Sequence, residues 1–436
     1  FNEYIELSMD TIFAQATASG RAGVSIIRLS GAQAFDIASN YCKIPPVGRT
    51  GLRSVCAIDG ALIDQALILC FEAGASFTGE RVVEFHVHGG LATVAKLLSE
   101  LSSCGGCRLA DPGEFTRRAL ENGQLDLNQV EALSDLIDAE TESQRQQAIL
   151  VLDGSFGDAG EAWRGDLLRA AALLEASIDF SDEEIPEDLY VEVAGLVSQT
   201  QVSIGAILER STVASKIRSG FTVAIVGAPN VGKSTLLNAI AGRQAAITSD
   251  VAGTTRDVIE VRVDLKGLAV TFLDTAGLRN SEDEIEKLGI SMAYDRSDTA
   301  DIRIFLVKSY EEDLPFLARL DDLVVLNKGD QRPADGLSVS GITGAGVSEL
   351  LKMIADKLLQ KTPTDVVAIR ERQVAGLRAA EASLVKTLKL TSQTPLPFEL
   401  ASQELYFALS ELDFVFGKID IESVLDEIFS SFCLGK

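Results

Sequence analysis

The segment Gly227-Ala-Pro-Asn-Val-Gly-Lys-Ser-Thr235 constrains the fold of this chain more than any other. It follows the apolar run Phe221 to Val226 and precedes the helix-like stretch Leu236 to Ala241. A strand that ends in Gly-x-x-x-x-Gly-Lys-Ser and turns into a helix presents backbone N–H groups and the positive end of the helix dipole to a polyphosphate. The segment therefore predicts a phosphate-binding loop, with Lys233 on the β and γ phosphates and Ser234 on Mg²⁺. The nucleotide contacts predicted from this loop are Asn230, Val231, Gly232, Lys233, Ser234 and Thr235.

Two motifs downstream indicate which nucleotide is bound. The strand-like run Val270 to Gly277 ends in Asp-x-x-Gly, which suits a carboxylate near Mg²⁺ and a glycine N–H near a γ-phosphate. The run Leu323 to Asp330 ends in Asn-Lys-x-Asp, and the carboxylate of Asp330 can accept two hydrogen bonds that guanine supplies and adenine cannot. The three motifs together predict a GTP-binding domain. The further predicted contacts are Asp274, Thr275, Ala276, Gly277, Asn327, Lys328 and Asp330, with Ser340, Gly341 and Ile342 as a candidate last loop over the base.

The polar, turn-rich stretch Thr248 to Asp257 predicts a switch loop between the first two motifs. Thr255 or Thr254 would complete the Mg²⁺ shell only when a γ-phosphate is present. Leu278, and not a glutamine, follows Gly277, so the attacking water needs another orienting group. A carboxylate in the acidic segment 280–286 is one candidate, and a solvated acidic loop is the alternative. The nucleotide contacts predicted from the switch loop are Ser249, Asp250, Val251, Ala252, Gly253, Thr254 and Thr255.

Charge and length limit the partners and the architecture. The 436 residues allow two or three domains, each with its own core. A net charge of −25 argues against a broad nucleic-acid-binding face, because Lys and Arg hold phosphate backbones. If RNA is the substrate, a partner or a local patch must do most of the holding.

The cysteines and histidines leave two interpretations open. His86 and His88 should share one face of a strand, and with Cys104-Gly-Gly-Cys107 they could form a zinc site. A turn with small buried thiols is the other interpretation. The 6 cysteines are too scattered for a disulfide framework, and neither end of the chain carries a membrane-spanning run or a signal peptide, so we expect a cytoplasmic protein without a membrane. Phe1 to Ser8, ahead of Met9, is either native chain or an added leader.

The periodicity of apolar residues predicts a multidomain α/β + α protein. Short β-branched runs such as Val82 to Val87, and one helix from Leu91 to Leu101, indicate an α+β domain over residues 1–123. Helical spacing begins near Leu125, and helix-like sequence resumes after the nucleotide motifs. We therefore predict a helical domain, 124–217 and 366–436, into which a Ras-like P-loop GTPase domain, 218–365, is inserted.

A wider set of motifs resembles one family. The chain ends in Phe432-Cys-Leu-Gly-Lys436, which composition alone would assign to a frayed tail. Further segments carry the same resemblance: Asp10 to Thr17, Gly20 to Gly31, Ser76 to Glu80, His88 to Gly90, Pro112 to Thr116, Leu125 to Leu127 and Gly253 to Asp257. Together with this terminus they make the chain similar to the MnmE (TrmE) family of tRNA modification GTPases, over nearly the whole chain from Met9 onward.

The resemblance implies an activity that the motifs alone do not. The family works with an FAD-containing partner, MnmG, to form an aminomethyl or carboxymethylaminomethyl group at C5 of wobble uridine 34 in tRNA. The one-carbon unit comes from a tetrahydrofolate derivative, such as the 5,10-methylene or 5-formyl form, bound in an N-terminal domain that also makes a homodimer. By motif position the folate contacts are Arg28, Glu84 and Lys436, and Cys433 is the cysteine needed for modification. Gln124 stands where the family has a further folate-site lysine.

The resemblance also implies how the nucleotide site replaces the missing glutamine. Family G domains dimerise across their nucleotide faces and use K⁺ where other GTPases use an arginine finger. The K⁺ ligands implied are Asn230, Ser249, Val251 and Thr254, beside the Mg²⁺ ligands Ser234 and Thr255, and Glu286 matches the glutamate that acts through water. Three further features depart from the family: Gly341 replaces a common alanine, Lys308 stands where an aspartate is usual, and the interval from Val307 to Leu323 is short, either because this member is trimmed or because residues are absent.

Two functions remain open from the sequence. The first is a tRNA-modifying GTPase whose hydrolysis cycle resets a folate- and partner-dependent centre. The second is a regulatory or ribosome-assembly GTPase switch without modification chemistry. The N-terminal domain and the Cys-Leu-Gly-Lys terminus favour the first.

Overall fold

A computed structural model of the chain describes residues 10–179, 187–243, 260–274, 297–314, 317–329, 336–362, 369–393 and 396–418, and also 425, 428, 429 and 435. The described residues form two compact units, one within 1–134 and 413–436 and the other within 135–412. Both contain a sheet, and the second also contains long helices, so the predicted α/β + α class is confirmed. The boundaries of the three predicted domains stay a prediction.

The first unit is built on a six-stranded sheet in the order β3-β4-β5-β2-β1-β6. Neighbouring strands are antiparallel except β1 and β6, which are parallel. The strands are β1 Thr11–Gln15, β2 Ala22–Ser30, β3 Gly51–Cys56, β4 Leu62–Phe71, β5 Val82–Gly89 and β6 Cys107–Leu109. The helices of this unit are α1 Ala34–Ser39, α2 Leu91–Ser103, α3 Glu114–Glu121 and the larger part of α4 Leu127–Asp138.

The two faces of this sheet differ because side chains alternate along each strand. On β5, Val83, Phe85 and Val87 are buried, whereas Glu84 and His86 on the opposite face are partly exposed. The buried face joins residues of α1 and α2 in one core cluster. On the other face Glu84 and His86 are partly exposed, and Ile12 and Ala14 form a separate small apolar cluster with Phe115 of α3.

The end of the chain packs within the first unit. Leu425, Ile428 and Phe429 share a core cluster with Leu127 and Val130 of α4. The apolar positions that predicted a helix from Leu125 therefore serve as the contact surface for the chain's end.

The sheet of the second unit has the order β12-β11-β10-β7-β9-β8, in which only β8 is antiparallel to its neighbour. This is the doubly wound pattern that the three nucleotide motifs require. The strands are β7 Phe221–Val226, β8 Glu260–Leu265, β9 Leu268–Asp274, β10 Ile302–Val307, β11 Leu323–Asn327 and β12 Ser338–Val339. The helices that pack on it are α8 Lys233–Arg243 and α9 Val347–Lys361.

A short connection joins β10 to β11. Its described residues, 308–314 and 317–322, contain no helix. The buried guanidinium of Arg303 holds the connection in place. It pairs with Asp322 at 2.6 Å and donates to the carbonyl of Leu317 at 2.9 Å. Leu317 and Leu320 are left 91 % and 96 % exposed.

Long helices complete the second unit: α5 Glu142–Leu152, α6 Ser155–Asp179, α7 Glu187–Ser219, α10 Glu371–Thr391 and α11 Phe398–Val415. Residues Leu189–Ser219 of α7 are long and apolar enough to cross a membrane by length and composition alone. That is weak evidence, because core helices of other proteins pass the same test and α7 packs against α6 and α10.

Candidate functional site

The phosphate-binding loop has the conformation that its sequence predicts. β7 ends at Val226 and α8 begins at Lys233, so the predicted strand and helix on either side of the loop are confirmed. Within the loop Asn230 has φ 60° and Gly232 has φ +106°. Asn tolerates the left-handed region, whereas the second value suits only glycine. A Cβ on Gly232 would also lie 2.4 Å from Nδ2 of Asn327.

Lys233 is folded over the loop. Its Nζ donates to the carbonyl oxygens of Gly227 at 2.7 Å and Ala228 at 3.1 Å, and the residue is only 5 % exposed. These bonds hold a buried ammonium among the backbone groups of the loop. A polyphosphate seated there would meet a fixed positive charge as well as the N–H groups at the start of α8.

Two oxygen ligands suited to Mg²⁺ lie side by side. Asp274 ends β9, is 3 % exposed, and accepts a hydrogen bond from Oγ of Ser234 at 2.5 Å. A hydroxyl and a carboxylate are the hard oxygen donors that Mg²⁺ prefers. These two residues lie 40 positions apart in sequence, and the sheet brings them into contact. That they hold Mg²⁺ stays a prediction.

The strand β11, which leads into the predicted Asn-Lys-x-Asp motif, contacts the phosphate-binding loop directly. Nδ2 of Asn327, at the end of β11, donates to the carbonyl of Val231. Its Oδ1 accepts the N–H of Lys328 at 2.8 Å, and Lys328 has φ 59°. Asn327 therefore fixes the relative position of the phosphate loop and the Asn-Lys-x-Asp turn.

The candidate last loop also reaches the phosphate-binding helix. Ser340 donates its N–H to Ala345 at 2.9 Å and its Oγ accepts the N–H of Thr343 at 3.2 Å, which closes a tight turn. A Cβ on Gly341 would lie 2.8 Å from the backbone of Thr235 and Leu236. Glycine therefore fits this close approach in place of the family's common alanine, and Ile342 beside it is 82 % exposed.

A second polar cluster lies on the open face of the first unit's sheet, which is the face that carries Glu84 and His86. Arg28 of β2 is opposite Glu84 of β5 in the strand register. Its Nε and Nη2 both lie 2.9 Å from Oε1 of Glu84, and Nε2 of His86 lies 3.1 Å from Oε2. The guanidinium also lies 5.5 Å from the ring centre of Phe77 and 5.6 Å from that of Phe115. The predicted folate residues Arg28 and Glu84 are thus in contact with each other, between two aromatic rings.

A buried ionic network supports the same face of the sheet. Arg118, on α3, is 4 % exposed and contacts carboxylates of Asp10 at 2.9 Å, Glu114 at 2.9 Å and Glu80 at 3.2 Å. Glu80 in turn accepts a hydrogen bond from Ser30 at 2.6 Å. Burial raises the pKa of Glu114, but hydrogen bonds from Arg108, Asp111 N–H and Arg118 outweigh it, so the net shift is downward. The carboxylate stays ionised well into the acid range.

The chain's end comes close to this site. Gly435 has φ +94°, and a Cβ there would lie 2.0 Å from the carbonyl oxygen of Gln15. Gln15 pairs with Ile27, the neighbour of Arg28, in the β1–β2 register. The position of Gly435 therefore agrees with a tail that reaches the Arg28 region. Gln124 lies against the turn at Gly79, where a Cβ would be 3.2 Å from its Cγ.

Several predicted residues lie outside the described residues. They are Ser249, Asp250, Val251, Ala252, Gly253, Thr254, Thr255, Thr275, Ala276, Gly277, Glu286, Asp330, Cys433 and Lys436.

The described part of the chain gives no support to the zinc interpretation. Nδ1 of His88 pairs with Asp64 at 2.8 Å, whereas His86 contacts Glu84. No group of three or more His, Cys, Asp or Glu side chains among the described residues could hold a metal ion. Burial, with a smaller contribution from Cys104, raises the pKa of the Cys107 thiol to about 11, so it stays protonated at neutral pH. The alternative of a turn with small thiols fits better.

A cavity of about 760 Å³ elsewhere in the second unit contains none of the predicted site residues. Its walls include Asp135, Glu140, Arg218 and Arg262. Arg262 pairs with Glu140 at 2.8 Å. Burial raises the pKa of Asp135, although Arg370 and Arg218 oppose the shift.

Three features of the sites are not indicated by the sequence motifs. The motifs suggest only a zinc role for His86, and they indicate no role for Phe77 or Arg118. The pairing of strands β2 and β5 brings His86 to Glu84, and that register is a long-range property. The alternation Glu84-x-His86 was the one local signal, since it places both side chains on one face.

Comparisons with known proteins show which family the chain is similar to. A family model described as "GTP-binding protein TrmE N-terminus" matches residues 11–124, and one described as "MnmE helical domain" matches residues 127–433. A relative from Cereibacter sphaeroides, called tRNA modification GTPase MnmE, is 53 % identical over 430 residues, which cover 98 % of this chain and 100 % of the relative. Relatives of the same name from Roseobacter denitrificans and Parvibaculum lavamentivorans are 51 % and 43 % identical over 429 and 440 residues, again covering 98 % of this chain and 100 % of each relative.

The alignment of 430 residues spans the whole Cereibacter relative, so that protein is about as long as this chain. With one family model over most of the chain and relatives at these identities over nearly its full length, the chain belongs to the MnmE family of tRNA modification GTPases.

Proposed function

We propose that this chain hydrolyses GTP with Mg²⁺ and K⁺, and that with the FAD protein MnmG it uses a tetrahydrofolate one-carbon unit to form the (carboxymethyl)aminomethyl group at C5 of wobble uridine 34 in tRNA. The observation that supports the nucleotide part best is the contact of Ser234 with Asp274 beside the buried Lys233. The names of its relatives support the tRNA part.

The described residues have distinct tasks in the nucleotide reaction. Lys233 supplies a fixed charge to the β and γ phosphates, where negative charge grows in the transition state. Ser234 and Asp274 would hold Mg²⁺, which neutralises phosphate charge when bound. Asn327 keeps the base loop and the phosphate loop in register. Because little covalent chemistry is needed from the protein, such positioning supplies most of the rate.

The proposed K⁺ site is centred on Asn230. Its left-handed backbone places it at the turn of the phosphate loop, where a side-chain oxygen can serve as a cation ligand. A bound cation there would supply the positive charge that an arginine finger supplies in other GTPases. Ser249, Val251 and Thr254 are the further proposed ligands, Thr255 the further Mg²⁺ ligand, and Glu286 the residue that positions water.

The proposed folate site is the cluster of Arg28 and Glu84. Two aromatic rings beside a cation and a carboxylate suit a flat heterocycle with N–H donors. Lys436 would be brought to the site by the tail whose Gly435 lies against β1. Gln124 can offer only a neutral amide where the family has a lysine.

The partners are proposed from exposed apolar side chains and from the net charge. Leu52 and Leu67 are opposite each other in the β3–β4 register and are 65 % and 38 % exposed on the open face of the sheet, which suits a homodimer. A net charge of −25 favours an arrangement in which MnmG holds most of the tRNA. The cytoplasmic location stays a prediction.

GTP turnover in matched KCl and NaCl buffers tests the nucleotide part, with light scattering to follow association when GDP and aluminium fluoride are added. We expect turnover to depend strongly on K⁺ and the transition-state mimic to drive association. Equal rates in both salts without association would remove the cation mechanism and favour a slow regulatory or ribosome-assembly switch.

The modification chemistry needs its own test. Cys433→Ser should abolish tRNA modification in the presence of MnmG while GTP hydrolysis stays near wild type. Equal loss of both activities would mean that the two roles are not separate, and modification by the variant at the wild-type rate would exclude Cys433.

A further inference from the structure

The carboxylate of Glu84 is held from two sides. Arg28 directs Nε and Nη2 to the same oxygen, Oε1, at 2.9 Å each. His86 lies 3.1 Å from the other oxygen, Oε2, through its Nε2. Because an ionised carboxylate is only an acceptor, the His86 nitrogen that faces it carries the proton.

A count of acceptor positions shows where a ligand can bind. A carboxylate offers about four lone-pair positions, two on each oxygen. Nε of Arg28 donates to one position on Oε1, which Nη2 also approaches to 2.9 Å, and His86 takes one position on Oε2. The position that the guanidinium leaves clear belongs to Oε2, beside the His86 ring.

We propose that His86 is a positioning residue of the folate site: it holds Glu84 so that the remaining acceptor position of Oε2 receives an N–H of the ligand's reduced pterin ring. The inference rests on the proposed folate function and specifies which end of the ligand meets Glu84. It needs no charge on His86, only the Nε2–H bond.

Electrostatics favours the pterin end over the glutamate end of a folate. The glutamate tail carries carboxylates, which the Glu84 carboxylate would repel, whereas the pterin edge carries N–H donors. The rings of Phe77 and Phe115 flank Arg28 at 5.5 and 5.6 Å and provide the apolar surroundings that a flat ring needs.

His88 provides a matched control on the same strand. It lies two residues along β5 on the same face, pairs with Asp64 at 2.8 Å, and has a side chain that is 74 % exposed. The side chain of His86 is 22 % exposed. The two histidines share residue type, strand and face, and differ in whether they contact Glu84.

The test is binding of 5-formyltetrahydrofolate to the full chain, measured by isothermal titration calorimetry. We expect His86→Leu to weaken binding about tenfold, because it removes a hydrogen bond to a charged group. His86→Gln, whose amide can still donate to Oε2, should bind within about threefold of the wild type, and His88→Leu should bind like the wild type. Circular dichroism melting curves confirm that each variant is folded.

The outcomes separate this inference from the folate proposal. If the wild type binds and Glu84→Gln does not, but His86→Leu binds like the wild type, His86 has no positioning role and only this inference is wrong. Equal weakening by His86→Leu and His88→Leu would also overturn it, since the effect would then be general to the strand. If the wild type takes up no 5-formyltetrahydrofolate, the folate proposal is wrong and this inference falls with it.

Discussion

The two candidate sites are built in different ways. The nucleotide site in the second unit is largely backbone: a loop of contiguous residues with Gly232 and Asn230 in left-handed conformations, followed by the N-terminus of a helix. The cluster in the first unit is made of side chains, and its central pair, Arg28 and Glu84, lies 56 residues apart in sequence. The nucleotide site depends on local conformation. The side-chain cluster depends on strand register and on the ionic network around Arg118.

That difference determines which substitutions each site tolerates. A backbone site is damaged when a residue cannot adopt the required φ or when a Cβ enters the loop. A side-chain site is damaged when a partner charge is lost, because the remaining charges are left partly buried without compensation.

The largest effect is expected at the nucleotide loop. Gly232→Ala combines a φ of +106°, which alanine rarely adopts, with a Cβ 2.4 Å from Nδ2 of Asn327. We expect strain of about 3 kcal/mol, which corresponds to roughly 100-fold weaker nucleotide binding. Titration with a fluorescent GDP analogue measures this affinity. Gly242→Ala, in the helix that follows, has nothing within 4 Å of the added Cβ and should bind like the wild type. Similar affinities for both variants would contradict a backbone-built site.

The next largest effect is expected at the ionic network around Arg118 in the first unit. Arg118→Leu removes the cation that pairs with Glu80 and leaves Asp10 and Glu114 with Arg108 alone. Breaking such a buried pair costs about 3 kcal/mol of unfolding free energy, which urea unfolding of this unit would measure. Lys96→Ala, which removes an exposed partner of Glu100 in the same unit, should leave the midpoint unchanged. An Arg118→Leu variant as stable as the wild type would show that the network does not support the sheet.

A smaller effect is expected at the chain's end. Gly435→Ala would place a Cβ 2.0 Å from the carbonyl oxygen of Gln15 at φ +94°. Displacing the tail by this strain should weaken 5-formyltetrahydrofolate binding by about tenfold. Gly23→Ala, on β2 with nothing within 4 Å, is the control. Unchanged binding in both would mean that the tail is not part of the side-chain site.

The fold was largely predictable because its strongest signals are local. The phosphate loop, Asp274 and Asn327 each end a strand of apolar residues, so order along the chain was enough to place them on one sheet edge. The helix predicted from Leu91 to Leu101 is confirmed and runs to Ser103. The contribution of the chain's end to the core around Leu127 was not predicted, because it joins segments that are far apart in sequence.

The side chains of the sites were less predictable, for the same reason. Nothing near Arg118 in sequence indicates that Asp10 and Glu80 will reach it, since those contacts arise from the register of the sheet and the placement of α3. The contact of Asn327 with Val231 is likewise set by the order of the parallel strands, although both residues were predicted as nucleotide contacts. Local motifs indicated which residues matter, and the tertiary structure determines what each one contacts.

The smallest effect is expected where side chains join the nucleotide sheet to the helices of the same unit. Arg262, on the strand β8 that follows the switch loop, pairs with Glu140 at 2.8 Å, and the two side chains are 35 % and 25 % exposed. A partly exposed pair contributes about 1 kcal/mol, so Arg262→Glu should destabilise the unit by about that amount and the double swap with Glu140→Arg should restore most of it.

Urea unfolding of the two single variants and the double variant measures the coupling. The exposed pair Arg145 and Glu142, within α5, provides the control swap, for which we expect no recovery beyond the sum of the single effects. Of the two single variants, Arg262→Glu should destabilise the unit more than Glu140→Arg. It adds a carboxylate to a cavity that is already lined by Asp135, Asp138 and Glu140. If the double swap is no better than the single variants, the pair does not join the sheet to the helices, and the nucleotide unit depends on backbone contacts such as the bond from the Ser143 N–H to the Gly267 carbonyl at 3.1 Å.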